Sequence, residues 1–239
     1  MESPTRRTIL KAAFLGPAAA AVSLEALRAA IPSAHAAFEP AYASPPRRFL
    51  TAPEHGFIEA AVARIIPADD LGPGAKEAGV ADFIDHQLAG PYGRAEGWYM
   101  QGPWHQGIAE QGYQLKLTPA QLYRAAIDAI DRHVRQEKNK AFDELDAASQ
   151  DAVLNAIDQG QLDIPGVPVR KFFEMLVQNT VEGFFADPIY GGNKNFIGWR
   201  LIGFPGPRYN YVAEIGQYGK RYDMPFVSIG GRDAGLKEA

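Results

Sequence analysis

The sequence predicts an all-α protein: a small core of five to six helices with long loops rich in glycine, proline and aromatic residues. Three observations lead there. Apolar residues recur at helical spacing in five separate stretches. No stretch alternates polar and apolar residues between hairpin turns. Two long segments break every periodicity, yet hold many of the 13 Phe, 10 Tyr and 3 Trp. The 239 residues, 46% hydrophobic and 22% charged, suffice for one good-sized core, and 24 Gly with 18 Pro signal much irregular backbone.

The first 36 residues read as an export signal. Thr5-Arg6-Arg7-Thr8-Ile9-Leu10-Lys11 precedes an uncharged, alanine-rich run over residues 12–24, and Ala34-His35-Ala36 supplies a small-x-small cleavage site. Paired Arg6 and Arg7, a modest apolar run and that ending are the layout of a bacterial twin-arginine signal. The run is too short to cross about 30 Å of hydrocarbon at 1.5 Å per residue, and Gly16-Pro17 interrupts it. The expectation is therefore a folded cargo carried by the twin-arginine translocase to the periplasm. Residues 37–50, with Pro40, Pro45 and Pro46, read as an extended linker, and residues 51–239 as one helical domain with an irregular C-terminal loop region.

Within that domain a first helix follows Pro53. Phe57, Ile58, Ala61, Val62, Ile65 and Ile66 form one apolar stripe, and Pro67 ends it. A second runs from about Glu77 to Leu88, with Val80, Phe83, Ile84 and Leu88 inward and Gly90 as its stop. Thr118-Pro119-Ala120-Gln121 is a capping box with proline at the first helical position. The helix it opens buries Tyr123, Ile127, Ile130 and Val134 and turns Asp128, Asp131, Arg132 and Arg135 to water. A shorter helix from about Ala147 carries Val153, Leu154 and Ile157 and stops at Gly160. The strongest stripe runs from Val169 through Phe172, Phe173, Leu176, Val177 and Val181 to Phe184, between Pro168 and Pro188. Residues 90–117 and 187–231 fit none of these patterns. Their aromatic content argues for ordered loops, either docked on a partner or wrapped around their own helices.

The residues exclude much chemistry. Cysteine is absent, which removes disulfides, thiolate metal sites, iron–sulfur clusters and cysteine nucleophiles. The net charge of −4 shows no basic excess for nucleic acid. Phosphate loops, dinucleotide fingerprints and nucleophile elbows are missing. No two of His55, His86, His105 and His133 stand three or four residues apart, so no helical metal pair exists. Asp82 and Asp85 flank Phe83-Ile84, one expected in solvent and the other capping or paired. Asp82 and His86 stand at i and i+4, the spacing of a general-base pair. Two readings stay open on these residues: a self-sufficient secreted enzyme using His86 or His105, and a free-standing periplasmic sugar-binding protein using the aromatic loops.

Gly183-Phe184-Phe185-Ala186-Asp187-Pro188-Ile189-Tyr190-Gly191-Gly192-Asn193, continued by Gly198-Trp199-Arg200-Leu201-Ile202-Gly203-Phe204-Pro205-Gly206, resembles the signature of the gluconate 2-dehydrogenase subunit 3 family. These are the small subunits of bacterial membrane-associated flavin dehydrogenases. Ile66-Pro67-Ala68-Asp69, Gly74-Ala75 and Val80-Ala81-Asp82-Phe83-Ile84-Asp85 are similar to that family's opening helix pair. The resemblance implies a large FAD-bearing partner of the glucose–methanol–choline oxidoreductase type that oxidises a sugar, sugar acid or polyol such as gluconate. It also implies a multihaem cytochrome c subunit carrying haem c at the membrane. The present chain would then hold no catalytic residue, cofactor or metal, and would export and stabilise the flavoprotein.

On this reading Asp187, Pro188, Tyr190, Gly191, Gly192, Asn193, Phe196, Trp199 and Phe204 are docking contacts. Asp187-Pro188 breaks the helix, Gly191-Gly192 permits a tight turn, and Asn193 bonds its own backbone there. Tyr190, Phe196 and Trp199 would then form an outward aromatic surface. Alternatively, these residues only fix the loop against Phe184 and Phe185.

Overall fold

Half of the helices begin where a side chain supplies an acceptor for their unpaired amide groups. The computed structural model describes residues 46–231 apart from 106, 221 and 223, and forms six α-helices over them. They are α1 (Ala52–Ile65), α2 (Val80–Ala89), α3 (Pro119–Lys138), α4 (Ala147–Asp158), α5 (Val169–Phe185) and α6 (Ile197–Ile202). Among the described residues there is no strand, only isolated bridges such as Asp69–Gly72. The export signal with Arg6 and Arg7, and linker residues 37–45, lie outside the described residues.

The capping box at α3 forms as its sequence predicts: Gln121 N–H donates to Thr118 Oγ1 and the Gln121 side chain accepts from Thr118 N–H. Helix α1 carries a second box, in which Glu54 Oε2 accepts from Thr51 N–H at 2.7 Å. Asp146 caps α4 by accepting from Ser149 N–H at 2.9 Å. Helix α2 starts three residues later than its composition suggests. Residues 75–79 form turns, and Gly79 adopts φ +70°, a left-handed conformation that stops the helix from extending backward. Helix α6 lies inside a segment read as irregular, because six residues are too few to show a periodicity.

Helix α5 is the centre of the fold, touching α1, α2, α3, α4 and α6. Its Phe172 is wholly buried, 5.0 Å edge-on from the ring of Tyr123 and 6.3 Å from that of Phe57. Phe57 packs in turn on Phe142 at 4.5 Å. Burying each such ring contributes about 1.5–3 kcal/mol. The inward residues expected of α3 (Tyr123, Ile127, Ile130 and Val134) are all buried. Asp131 is a partial exception to its polar face: half-buried, it accepts from Phe142 N–H at 2.9 Å as well as from Arg135.

One polar link crosses the core. Asn179 of α5 donates to the hydroxyl of Tyr123 and shares a hydrogen bond with that of Tyr92, each at 3.1 Å. Burial pushes the Tyr92 hydroxyl up to about 12 and that of Tyr123 well above its ordinary value, so both stay neutral donors and acceptors. This link ties the start of the 90–117 loop to the core. Farther along, Trp98 sits edge-on between Tyr92 and Tyr113.

Candidate functional site

The signature residues build a clasp at the end of α5. Pro188 cannot continue the helix, and Asp187 Oδ1 accepts from Ile189 N–H at 3.0 Å to start the 3-10 turn Pro188–Tyr190. The same buried carboxylate accepts from Ser228 Oγ–H at 2.5 Å and from Ile229 N–H at 2.7 Å, so it holds a segment some forty residues ahead. Asn193 is wholly buried. Its side-chain amide donates to the Ala186 carbonyl and accepts from Gly198 N–H, both at 2.8 Å, joining the end of α5 to the start of α6. Between them Gly192 and Gly198 run against the carbonyls of Gly183 and Phe184. A Cβ at either position would overlap those oxygens.

Trp199 and Phe196 complete the clasp from inside. The Trp199 indole donates to the Phe185 carbonyl at 2.8 Å, and the side chain is only 4% exposed. Phe196 is wholly buried and stacks between Trp199 and Phe226, with centroids at 5.5 and 5.8 Å. The Arg200 guanidinium lies over Phe226 at 4.9 Å. Phe204 meets the Trp199 ring edge-on at 5.0 Å from a more exposed position.

A second fastening joins this segment to the front of the molecule. Asp82 on α2 is buried, with His55 Nε2 of α1 at 3.0 Å from one oxygen and Lys194 Nζ at 2.5 Å from the other. Burial by itself would raise this carboxyl. The hydrogen bonds from His55 and Lys194, with the lysine's charge, outweigh it and hold the group at about 2. Lys194 N–H also donates to the Ala78 carbonyl at 3.0 Å. Asp85, one turn along, accepts from the backbone N–H groups of Arg48, Phe49 and Leu50 at 2.6–3.0 Å. It thereby pins the last residues of the expected linker onto α2.

These placements correct three expectations. Asp82 and Asp85 are both buried, so neither faces solvent. The Asp82–His86 pair is not formed, because His55 and Lys194 occupy the carboxylate. His86 instead sits half-buried beside Gly191, its pKa lowered first by burial and then by the charge of Arg48, while His105 is exposed on its loop. Third, Phe196 and Trp199 do not form an outward surface. Left-handed backbone at Asn193, Asn195 and Phe196 bends the chain inward, and the Phe185 carbonyl draws in the indole N–H.

Of the nine signature positions, Asp187, Gly192, Asn193, Phe196 and Trp199 are buried, Pro188 and Gly191 half-buried, and Tyr190 and Phe204 exposed. The apolar surface around them comes largely from residues that sequence reasoning passed over. Ile189, Leu201 and Ile202 are exposed beside Tyr190 and Phe204. A dipeptide Leu201-Ile202 just before a helix-ending glycine was the available signal. Tyr190 also borders an open groove of about 560 Å³ between α2 and α5, floored by Phe83, Val181 and Phe185.

Among the described residues, no group of three or more His, Asp and Glu stands close enough to hold a metal ion. No helix among them is long and apolar enough to cross a membrane.

The family model for gluconate 2-dehydrogenase subunit 3 matches residues 52–206. No curated protein and no solved structure matches the chain. The matched range opens at the first residue of α1 and closes at Gly206, taking in the helical core, the buried Asp82 and the whole clasp from Asp187 to Phe204. Covering well over half of the sequence, it means that the chain belongs to the gluconate 2-dehydrogenase subunit 3 family.

Proposed function

We propose that the chain is a non-catalytic small subunit that escorts, stabilises and docks onto an FAD-dependent dehydrogenase of the glucose–methanol–choline type, which oxidises a sugar, sugar acid or polyol such as gluconate. The observation that carries this reading is family membership over residues 52–206, since that family is named as a subunit of a dehydrogenase. The distribution of exposed apolar side chains supports it. Exposed apolar side chains gathered in one segment, as between Ile189 and Ile229 here, are what protein contact sites present.

The division of labour is the one that the family resemblance implies. The flavin belongs to the large subunit, and haem c to a cytochrome subunit where one is present. This chain contributes a rigid helical body, an apolar docking face and the twin-arginine signal with Arg6 and Arg7. Because that route moves folded proteins, one signal on the small subunit carries the loaded flavoprotein with it to the periplasmic face of the inner membrane.

Purification of the tagged full-length chain from the envelope of its native host tests this. The expected result is a yellow complex with a flavin absorbance spectrum and dye reduction by sugars or sugar acids. A colourless chain recovered alone overturns the reading. Replacing both Arg6 and Arg7 by lysine should leave the flavoprotein in the cytoplasm, and normal export of the flavoprotein would contradict the escort role.

A further inference from the structure

The two most exposed large side chains, Tyr209 and Tyr218, lie past the family match. Residues 207–226 leave the body at Gly206 and return at Val227, and the base of this loop is tied shut. Val227 N–H donates to the Pro205 carbonyl at 3.1 Å, the Arg208 guanidinium donates to the Pro225 carbonyl, and the Tyr211 hydroxyl donates to the Gly206 carbonyl. The rings of Tyr211 and Tyr222 meet across it at 5.9 Å. Just beyond the base, Phe226 stacks on Phe196, and Asp187 holds Ser228 and Ile229. Two turns shape the loop from within, through Glu214 N–H to the Tyr211 carbonyl and Gln217 N–H to the Glu214 carbonyl.

The tip does the opposite of the base. Tyr209 is fully exposed, Tyr218 89%, Val212 70% and Ile215 68%. Four large apolar groups on one short loop contribute nothing to burial in the body that carries them. Fixing the base removes part of the ordering cost that a free loop meets on binding. Tyrosine and aliphatic side chains spaced by Asn210, Gly216, Gln217 and Gly219 are the composition of loops that recognise proteins: rigid aromatic anchors among small, adaptable polar residues.

Resting on the subunit reading above, we infer that residues 207–226 are the docking loop for the dehydrogenase large subunit, with Tyr209, Val212, Ile215 and Tyr218 entering an apolar depression on that protein. Charge gives a lipid surface little to hold: over residues 207–226, Arg208, Lys220 and Arg221 stand against Glu214 and Asp223, a net of +1, short of the cluster of about four or more basic residues that reads anionic lipid. The family match ends at Gly206, at the foot of the loop. Residues 207–226 thus lie outside the matched range, as do Val227, Ser228 and Ile229, which fasten the base.

The test compares full-length tagged variants in the native host by the amount of flavin-containing large subunit that co-purifies. Tyr209→Ser with Tyr218→Ser, and separately Val212→Ser with Ile215→Ser, should each lower recovery of the flavoprotein at least tenfold. Leu71→Ser, an exposed apolar residue on another loop, should leave recovery unchanged. Thermal melts of all three variants should match that of the unaltered chain, because every substituted side chain is exposed. Unreduced flavoprotein recovery with both tip variants overturns the inference and leaves the subunit reading standing. If the unaltered chain recovers no flavoprotein, the subunit reading falls and this inference with it. If the tip variants lose only sedimentation with phosphatidylglycerol vesicles, or only self-association by light scattering, while retaining the flavoprotein, the loop serves lipid or a second copy and the inference is overturned.

Discussion

The five long helices and the segment that follows them dispose of their apolar side chains in opposite ways. Among the described residues, sixteen large hydrophobic side chains are exposed, and none of them lies on α1 to α5, whereas eleven fall between Ile189 and Ile229. The helices have α5 as a common surface and bury most of their stripes, with Ile65, Val153, Val177 and Val181 half-buried at the margins. The later segment spends Phe196, Ile197, Trp199 and Phe226 to attach itself and leaves those eleven large side chains exposed. The contrast separates fastening from display: the buried rings make the segment part of the body, and the exposed ones are not needed for the fold.

Breaking the body should have the largest effect. Phe172→Ala removes a wholly buried ring from between Tyr123 and Phe57 and should cost about 3–5 kcal/mol in a urea or thermal melt. A loss below about 1 kcal/mol would mean that the core is not organised around α5.

Next comes the buried carboxylate that joins the two regions. Asp82→Asn leaves the Lys194 ammonium without this counter-charge and should cost about 3 kcal/mol. The pH dependence sharpens the point. The folded carboxyl is held at about 2, below its ordinary value of 3.8, so its stabilisation is present in full above about pH 4 and lost as pH falls toward 2. Melts of the Asp82→Asn protein between pH 5 and 2 should lack that part of the slope, and an unchanged slope would assign it to other carboxylates.

Smaller and more local is Asp187→Ala. It frees Ser228 and Ile229 and should speed proteolytic cleavage within residues 207–231 severalfold, with the melt of the helical body lowered by about 1–3 kcal/mol at most. Smallest of all, Tyr218→Ser should change stability by less than about 0.5 kcal/mol, as expected of a side chain with no buried contact. A destabilisation above about 1 kcal/mol there would place the tip among the fastening residues and erase the contrast.

What the sequence made legible tracks how local each cause is. Helices α3 and α5 are long, periodic and punctuated by proline or a capping box, so the start of each and most of its inward face follow from residue order alone, while Val177 and Val181 of the expected α5 stripe are only half-buried. The start of α2 is misread because Glu77 and Ala78 favour helix, while a positive φ at Gly79 decides the matter. The signature announces itself as a motif, and its Asp-Pro break and Gly-Gly turn can be read directly. Which of its rings face outward cannot. That depends on the Phe185 carbonyl needing a donor, and on Ser228 reaching back to Asp187 across 41 residues. The fate of Asp82 likewise rests on Lys194, 112 residues away, so the nearer His86 is the misleading neighbour.

Amide hydrogen exchange on the full chain, alone and in complex with the flavin-bearing large subunit, tests the central claim most directly. The account expects slowed exchange on complex formation across residues 207–226 and around Tyr190 and Phe204, with α3 unchanged. Protection confined to α3 or α4, with residues 207–226 exchanging equally fast in both states, would contradict it.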